Sequence, residues 1–176
     1  ISGFVPEVAL RKRLDSDRFL WGKSEERFFV EQGIPEGWSE EKLRRKVVEC
    51  AKGYLGCQYR WGGKAADGID CSGVVFMVYL MNGVLIWRDA DIREGYPMKA
   101  IWREGEEMCL VEERAKAGDL LFWRGHVGMY LGDGRYLHCT GHERVFGCRV
   151  NSLRRGDEDF RKDLAEALKV VGSVFS

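Results

Sequence analysis

The pattern of apolar and polar positions divides the chain into a helical half followed by a strand-rich half. Apolar residues recur at helical spacing over residues 39–55, which predicts a half-buried helix that Ser39 caps and Gly56 ends. A second, more apolar helix is predicted from Cys71 to about Met81, where Asn82-Gly83 stops it.

Beyond residue 117 the apolar period shortens to two, which is typical of strands. The predicted strands are Asp119 to Trp123, His126 to Leu131, Arg135 to Cys139, Arg144 to Arg149 and Leu168 to Phe175. Residues 84–117 are expected to form a mixed connection with one or two helices. Helices followed by an antiparallel meander predict an α+β fold.

Composition narrows the possible functions. The chain has 176 residues, 45% of them hydrophobic, so general disorder is excluded. Twenty-eight basic and 28 acidic residues balance, so we expect no nucleic-acid partner. The longest apolar run, Val74 to Met81, is too short for a transmembrane segment. The six cysteines show no close C-x-x-C pair and are expected to be mostly reduced.

Residues 1–38 are the least regular part and are predicted to be an N-terminal arm, with the main domain over residues 39–176. Gly3-Phe4-Val5-Pro6, followed by Ala9-Leu10, resembles the last strand of a bacterial SH3-like domain, which would then lie upstream in a longer chain. An ordinary arm is the alternative. The chain begins with Ile and shows no leader, so export and a cytoplasmic location both stay open.

Three residues suggest nucleophilic catalysis. Cys71 follows a Gly-rich loop and begins the second predicted helix, whose free N–H groups would lower a thiol pKa and could receive an oxyanion. His126 opens a later predicted strand and His138 lies on the next. A cysteine, a histidine that accepts its proton and a group that orients that histidine form a general catalytic set.

Simpler interpretations exist for each residue. A cysteine on an apolar helix is usually a small hydrophobic core residue, and a strand histidine is usually structural. A zinc site is another class, since His138 and His142 have a tolerable ligand spacing. Strand alternation, however, directs His138 and Cys139 to opposite faces, so we expect no metal.

The combination of motifs resembles the NlpC-type papain-like cell-wall peptidases over about residues 42–175. The matching blocks are Tyr59-Arg-Trp-Gly-Gly-Lys-Ala-Ala-Asp-Gly-Ile-Asp-Cys-Ser-Gly-Val-Val, Ala117-Gly-Asp-Leu-Leu-Phe-Trp and Gly125-His-Val-Gly-Met-Tyr-Leu-Gly-Asp-Gly. Ala117 departs from the family, which usually has Pro before Gly-Asp.

The resemblance implies a papain-like α+β domain that needs no cofactor. In it Cys71 is the nucleophile, His126 the general base and His138 the residue that orients His126. The implied reaction hydrolyses peptidoglycan stem peptides, typically between γ-D-glutamate and a diamino acid. The diamino acid, diaminopimelate or lysine, and the target, intact wall or released murein peptide, stay open, as do a secreted or wall-associated and a cytoplasmic location.

The resemblance also implies a substrate-binding set of Tyr59 and Asp70, with Ser72 as a helper. Asp70 fits a plain helix N-cap equally well. A carboxylate beside Cys71 opposes thiolate formation, so its charge must be offset, and a substrate amine could supply that offset. Amidases and acyltransferases on related scaffolds, and a non-catalytic wall-binding module, are the remaining alternatives.

The two histidines share a strand face only in one hairpin register. A two-residue Asp133-Gly134 turn with regular pairing would direct His138 away from His126. We therefore predict a three-residue loop, Leu131 paired with Arg135, His138 opposite Gly128, a positive φ at Gly134 and a bulge.

Overall fold

The computed structural model describes residues 34–91, 98–142 and 145–175. The helices are α1 (Glu40–Lys52), α2 (Cys71–Met81), α3 (Cys109–Arg114) and α4 (Lys162–Ala167). The strands are β1 (Lys64–Ala65), β2 (Gly68–Ile69), β3 (Lys99–Arg103), β4 (Leu120–Trp123), β5 (His126–Gly132), β6 (Arg135–His142), β7 (Val145–Ser152) and β8 (Val170–Ser173).

An antiparallel sheet with the order β3-β8-β4-β5-β6-β7 forms the centre of the fold. Alternation along β5 gives the sheet two different faces, because Val127 and Met129 join one buried cluster and Tyr130 joins another. Helices α1 and α2 cover the first face, whereas α3 and α4 pack against the second, to which β3 contributes Trp102. The predicted α+β class, with helices packed on an antiparallel sheet, is confirmed.

The two long helices form for different reasons. Helix α1 is amphipathic: Ser39 caps it by accepting a hydrogen bond from the backbone N–H of Lys42, and it buries Leu43 and Val47. Helix α2 is apolar nearly all round and is buried along most of its length. The predicted bounds of α2 are correct, but α1 ends at Lys52 rather than Leu55, and a series of turns continues to Gly56.

The β5–β6 hairpin places His138 as predicted, but its turn differs from the predicted one. His138 lies opposite Gly128 and Gly134 has φ 73°, as predicted. The predicted three-residue loop and the predicted pairing of Leu131 with Arg135 are wrong, since Gly132 pairs with Arg135 across a two-residue turn. Asp133 has φ 52°, so both turn residues have the positive φ of a type I′ turn. The extra residue forms a bulge between Tyr130 and Gly132, which restores the face of His138.

Other segments differ from expectation. The connection over residues 84–117 contains one helix among its described residues, α3, but also the edge strand β3, which the sequence did not predict. The β1–β2 hairpin and helix α4 were also not predicted. Strands β6 and β7 extend to His142 and Ser152, three residues beyond their predicted ends.

The predicted division between an arm and a main domain stays a prediction, because residues 1–33 lie outside the described residues. Ile34 and Trp38 pack against the first buried cluster. In the part of the chain that the structure describes, no helix is both long and apolar enough to cross a membrane. All six cysteines are free thiols.

Candidate active site

Cys71 is the first residue of α2, at the end of the Gly-rich loop. The loop comes close to the helix here, since a Cβ on Gly73 would lie 2.4 Å from the carbonyl oxygen of Gly63. The Cys71 side chain is buried and lies near the start of β5, where the backbone amide of Val127 is close enough to lower the thiol pKa. Val127 directly follows His126, so the backbone next to His126 lies near Cys71.

The charge state of Cys71 differs from the sequence-based expectation of a lowered pKa. Burial raises the pKa of the Cys71 thiol above its usual range. The backbone N–H groups of Val127 and Ser72 oppose this effect, and the carboxylate of Asp70 adds to it. Desolvation therefore outweighs the helix N-terminus, and the thiol is neutral at pH 7 in the free protein.

Asp70 caps α2, which confirms its predicted N-cap role. Its Oδ1 accepts from the backbone N–H of Gly73 at 2.6 Å, and its Oδ2 accepts from that of Gly62 at 2.7 Å. The Ser72 hydroxyl lies 3.4 Å from Oδ1. The side chain thus ties the Gly-rich loop to the first turn of the helix.

Arg88 joins this cluster, and the sequence analysis did not assign it a role. Its Nη2 lies 3.0 Å from Oδ1 and 3.2 Å from Oδ2 of Asp70, and its Nη1 donates to Ser72 Oγ. Arg88 therefore offsets the Asp70 charge in the free protein, and the binding of a substrate amine to Asp70 stays a prediction. The only local signal was Val84-x-Ile86, a buried alternating pair that anchors the segment after α2.

Tyr59 lies beside the same turn. The backbone of residues 58–60 hydrogen-bonds to Ile69 on both sides, with Ile69 N–H donating to Gln58 and Arg60 N–H donating to Ile69. Burial raises the Tyr59 pKa, and the neighbouring groups Cys71, once ionised, and Asp70 raise it further. Tyr59, Asp70 and Ser72, the predicted substrate-binding set, therefore surround the N-terminus of α2.

His126 and His138 form a direct pair on the other face of the sheet. Nε2 of His126 lies 2.8 Å from Nδ1 of His138, and the rings meet edge to face. Trp123 packs against the His126 ring and Tyr136 against the His138 ring. His126 stands at the first position of β5, directly before Val127.

Both histidines are neutral at pH 7. Burial lowers the pKa of His126 to about 3, with contributions from His138 and Arg161. Burial also lowers the pKa of His138 to about 4, although a hydrogen bond to Asn151 opposes the shift. A neutral imidazole has a free ring nitrogen that can accept a proton, but the lowered pKa makes His126 a weak base in the free protein.

Asn151 is a further residue that the sequence analysis missed. Its Oδ1 lies 3.0 Å from Nε2 of His138, and its Nδ2 donates to the carbonyl of Asp159 at 2.8 Å. It lies on β7, thirteen residues after His138, and only the pairing of β6 with β7 brings the two residues together. Within residues 34–91, 98–142 and 145–175, no three His, Cys, Asp or Glu side chains group as metal ligands.

Curated relatives resemble the region that carries this site. The chain is 44% identical over 139 residues to dipeptidyl-peptidase 6 of Lysinibacillus sphaericus, which covers 78% of this chain and 47% of that protein. It is 36% identical over 119 residues to γ-D-glutamyl-L-lysine dipeptidyl-peptidase of Bacillus subtilis strain 168, covering 62% of this chain and 37% of that protein. The chain thus spans less than half the length of these relatives.

Solved structures share the fold. An NlpC/P60 family protein from Bacillus cereus superposes with a TM-score of 0.58 at 22% identity, over 76% of this chain and 40% of that chain. The peptidoglycan hydrolase RipB from Mycobacterium tuberculosis gives 0.59 at 24% identity, over 97% and 87%. Residues 56–156, from the end of the α1 turns to just beyond β7, match the sequence profile of the NlpC/P60 family. That span contains Cys71, His126 and His138, and the chain belongs to the NlpC/P60 family.

Proposed function

We propose that the protein is a cysteine endopeptidase that hydrolyses peptidoglycan stem peptides between γ-D-glutamate and the following diamino acid. The observation that carries this proposal is the position of Cys71. Its buried sulfur at the start of α2 lies near the backbone amide of Val127, and the neighbouring His126 is hydrogen-bonded to His138. The names of the relatives, dipeptidyl-peptidase and γ-D-glutamyl-L-lysine dipeptidyl-peptidase, support the substrate class.

The reaction begins from a neutral pair. As Cys71 Sγ attacks the amide carbonyl carbon, its proton passes to His126, and the carbonyl becomes an oxyanion. The backbone N–H of Cys71, at the first position of α2, is the proposed oxyanion donor, with the Tyr59 hydroxyl as a second. His138 accepts a hydrogen bond from the resulting imidazolium and stabilises it.

The intermediate then collapses to products. The C–N bond breaks, and His126 gives its proton to the leaving amine, which leaves a thioester on Cys71. Water loses a proton to His126 and attacks the thioester carbonyl. The acid product departs, and the Cys71 thiol regains its proton from His126.

Substrate recognition is proposed at Tyr59, Asp70 and Ser72. Asp70 would bind the free amino terminus of the peptide, but Arg88 already occupies both carboxylate oxygens. A bound amine must therefore share Asp70 with Arg88 or displace it. The same chemistry suits a secreted, wall-associated enzyme and a cytoplasmic enzyme of murein-peptide recycling, and both locations stay predictions, as does an upstream SH3-like domain.

Incubation with defined stem tripeptides and tetrapeptides, followed by mass spectrometry, tests the reaction. We expect release of an L-Ala–γ-D-Glu dipeptide, with lysine and diaminopimelate peptides compared side by side. Cys71→Ala should abolish release, because no other group supplies the thioester. Cys109→Ala is the matched control, since Cys109 is exposed on α3. Hydrolysis that survives Cys71→Ala would contradict the proposal.

Asp70→Asn tests the amine site through a ratio. Asn caps a helix about as well as Asp, so the variant should fold. The ratio of kcat/KM on unblocked peptide to that on N-acetylated peptide should fall, because only the unblocked peptide carries the amine. An unchanged ratio would leave Asp70 as a structural cap.

A further inference from the structure

Asn151 connects the histidine pair to the segment that follows β7. The side chain is buried and bridges His138 Nε2 and the main-chain carbonyl of Asp159. That carbonyl also accepts the backbone N–H of Ser152, and Arg161 N–H donates back to the Ser152 carbonyl. Two main-chain hydrogen bonds of Ser152 therefore hold the Asp159 carbonyl beside Asn151.

The carbonyl of Asp159 determines which way the Asn151 amide points. A carbonyl only accepts, so the amide nitrogen must face Asp159 and the amide oxygen must face His138. The flipped amide would set oxygen against oxygen at Asp159 and lose that bond. The Asn151 oxygen is consequently a fixed acceptor opposite Nε2 of His138.

A fixed acceptor determines the tautomers of both rings in turn. Because Oδ1 of Asn151 only accepts, Nε2 of neutral His138 carries the proton and Nδ1 carries the lone pair. Nδ1 of His138 lies 2.8 Å from Nε2 of His126, so Nε2 of His126 must donate. The lone pair of neutral His126 is then on Nδ1.

We propose that Asn151 is a positioning residue that sets His138, and through it His126, in the Nε2–H tautomer, which leaves Nδ1 of His126 as the nitrogen that takes the nucleophile's proton. The role of His126 as base rests on the proposed function, whereas the tautomers themselves do not. In this arrangement His138 stays neutral throughout the reaction. It accepts the same hydrogen bond from His126 before and after His126 is protonated.

The chain has only three histidines, so nitrogen-15 NMR can test the tautomers directly. Long-range proton–nitrogen spectra of the 15N-labelled protein at pH 7 distinguish the protonated ring nitrogen from the unprotonated one. We expect His126 and His138 each to show protonated Nε2 and unprotonated Nδ1. His142, which is exposed at the end of β6, serves as the internal reference. A protonated Nδ1 on His138 would overturn the inference.

Substitutions separate the tautomer effect from a general structural effect. Asn151→Leu removes the acceptor, so His138 should become a mixture of tautomers, and kcat should fall about 10²-fold with little change in KM. Ser152→Ala is the matched control: Ser152 is also buried and bonds the same segment, but its hydroxyl binds Asp157 and the Arg154 N–H instead of His138. Unchanged histidine spectra in Asn151→Leu would overturn the inference, as would equal changes in both variants.

Asn151→Asp is the second test, and it can still overturn the inference if Asn151→Leu fails to fold. Aspartate keeps an acceptor opposite His138, so the Nε2–H tautomer should persist. Its added negative charge should raise the titration midpoint of His138, against the background of Arg149, Arg161, Asp163 and His126 around the ring. A midpoint that does not rise would show that residue 151 does not face the ring, and would overturn the inference.

Activity distinguishes failure of this inference from failure of the proposed function. If the wild-type protein shows the expected tautomers but does not cleave stem peptides, the proposed function fails and the tautomer assignment stands. If peptides are cleaved and Cys71→Ala is inactive, but Asn151→Leu keeps wild-type kcat and tautomers, the proposed function stands and the inference fails.

Discussion

The two halves of the candidate site handle buried polar groups in opposite ways. At the N-terminus of α2, Asp70 and Arg88 form an ion pair in which Oδ1 and Nη2 are 3.0 Å apart. On the other face of the sheet, His126 and His138 are kept neutral by burial, and hydrogen bonds rather than charges connect them. One half compensates for desolvation by pairing charges, and the other avoids charge altogether.

This difference suits the two parts of the proposed reaction. A fixed ion pair at the helix start holds the Gly-rich loop around Cys71 without moving a proton. A neutral imidazole chain must instead receive a proton and release it, so its resting pKa must allow both states. The comparison predicts that substitutions at the Asp70–Arg88 pair, the charged half, mainly lower the free energy of unfolding. Substitutions at the His126–His138 pair, the neutral half, mainly lower kcat.

The sharpest test of the neutral half is His126→Ala. Loss of the general base should lower kcat by about 10³- to 10⁴-fold, while thermal unfolding changes far less. His142→Ala is the control, because that side chain is exposed on β6 beyond the site. Steady-state kinetics on stem peptides provide the measurement. A loss no larger than that of the control would remove His126 from the mechanism.

The charged half should respond mainly in stability. Arg88→Met leaves Asp70 with an uncompensated charge, so the free energy of unfolding should fall by about 3 kcal/mol, the lower end for breaking a buried ion pair. The exposed pair of Arg154 and Glu112 is the control, and Arg154→Met should cost less than about 1 kcal/mol.

Adding Asp70→Asn to Arg88→Met removes the uncompensated charge and should recover part of the loss. Urea unfolding of the single and double variants measures this coupling. If Arg88→Met and Arg154→Met lowered the free energy of unfolding equally, Arg88 would not stabilise the Asp70 carboxylate.

Lowering the pH should destabilise the protein through the buried, neutral side chains of His126 and His138. The folded-state pKa values of His126 and His138, about 3 and about 4, lie below the unfolded value near 6.5. The unfolded chain therefore binds more protons, and stability is lost as pH falls from about 6.5 towards these values, by up to about 1.4 kcal/mol per pH unit for each proton.

His138→Gln should flatten this dependence, because it removes one of the two protons taken up on unfolding. His142→Gln should leave it unchanged. Chemical unfolding between pH 4 and pH 8 gives the slopes. Parallel slopes for wild type and His138→Gln would show that His138 is protonated in the folded state.

The sequence predicted the local features of the site and missed those that depend on distant contacts. Cys71 and Asp70 could be placed because a Gly-rich loop, a capping residue and an apolar helix are consecutive in the chain. Arg88 and Asn151 could not, because each reaches the site only through the tertiary fold, Arg88 from the segment after α2 and Asn151 across the β6–β7 pairing.

The same distinction holds for the fold. Helix α2 and the central strands have strong periodic patterns, and they were predicted within a few residues. Strand β3 was missed because it is a five-residue edge strand of which only Trp102 is buried. Helix α4 was missed because it has six residues and buries none of them. Short elements of this kind depend on what they pack against rather than on their own sequence.

The smallest effect is expected at the β5–β6 turn, which should matter to the neutral half alone. Asp133 has φ 52°, a conformation that a β-branched residue resists, so Asp133→Val should cost about 1–2 kcal/mol. Asp133→Asn is the control, because Asn adopts this conformation readily.

The turn and the adjacent bulge place His138 opposite Gly128, so any shift of register would separate His138 from His126. We therefore expect Asp133→Val to broaden or shift the nitrogen-15 signals of both histidines, while the ion pair of Asp70 and Arg88 keeps its coupling energy. Loss of stability with native histidine signals would mean that the bulge holds the register without help from the turn, and a weaker Asp70–Arg88 coupling would mean that the two halves are not independent.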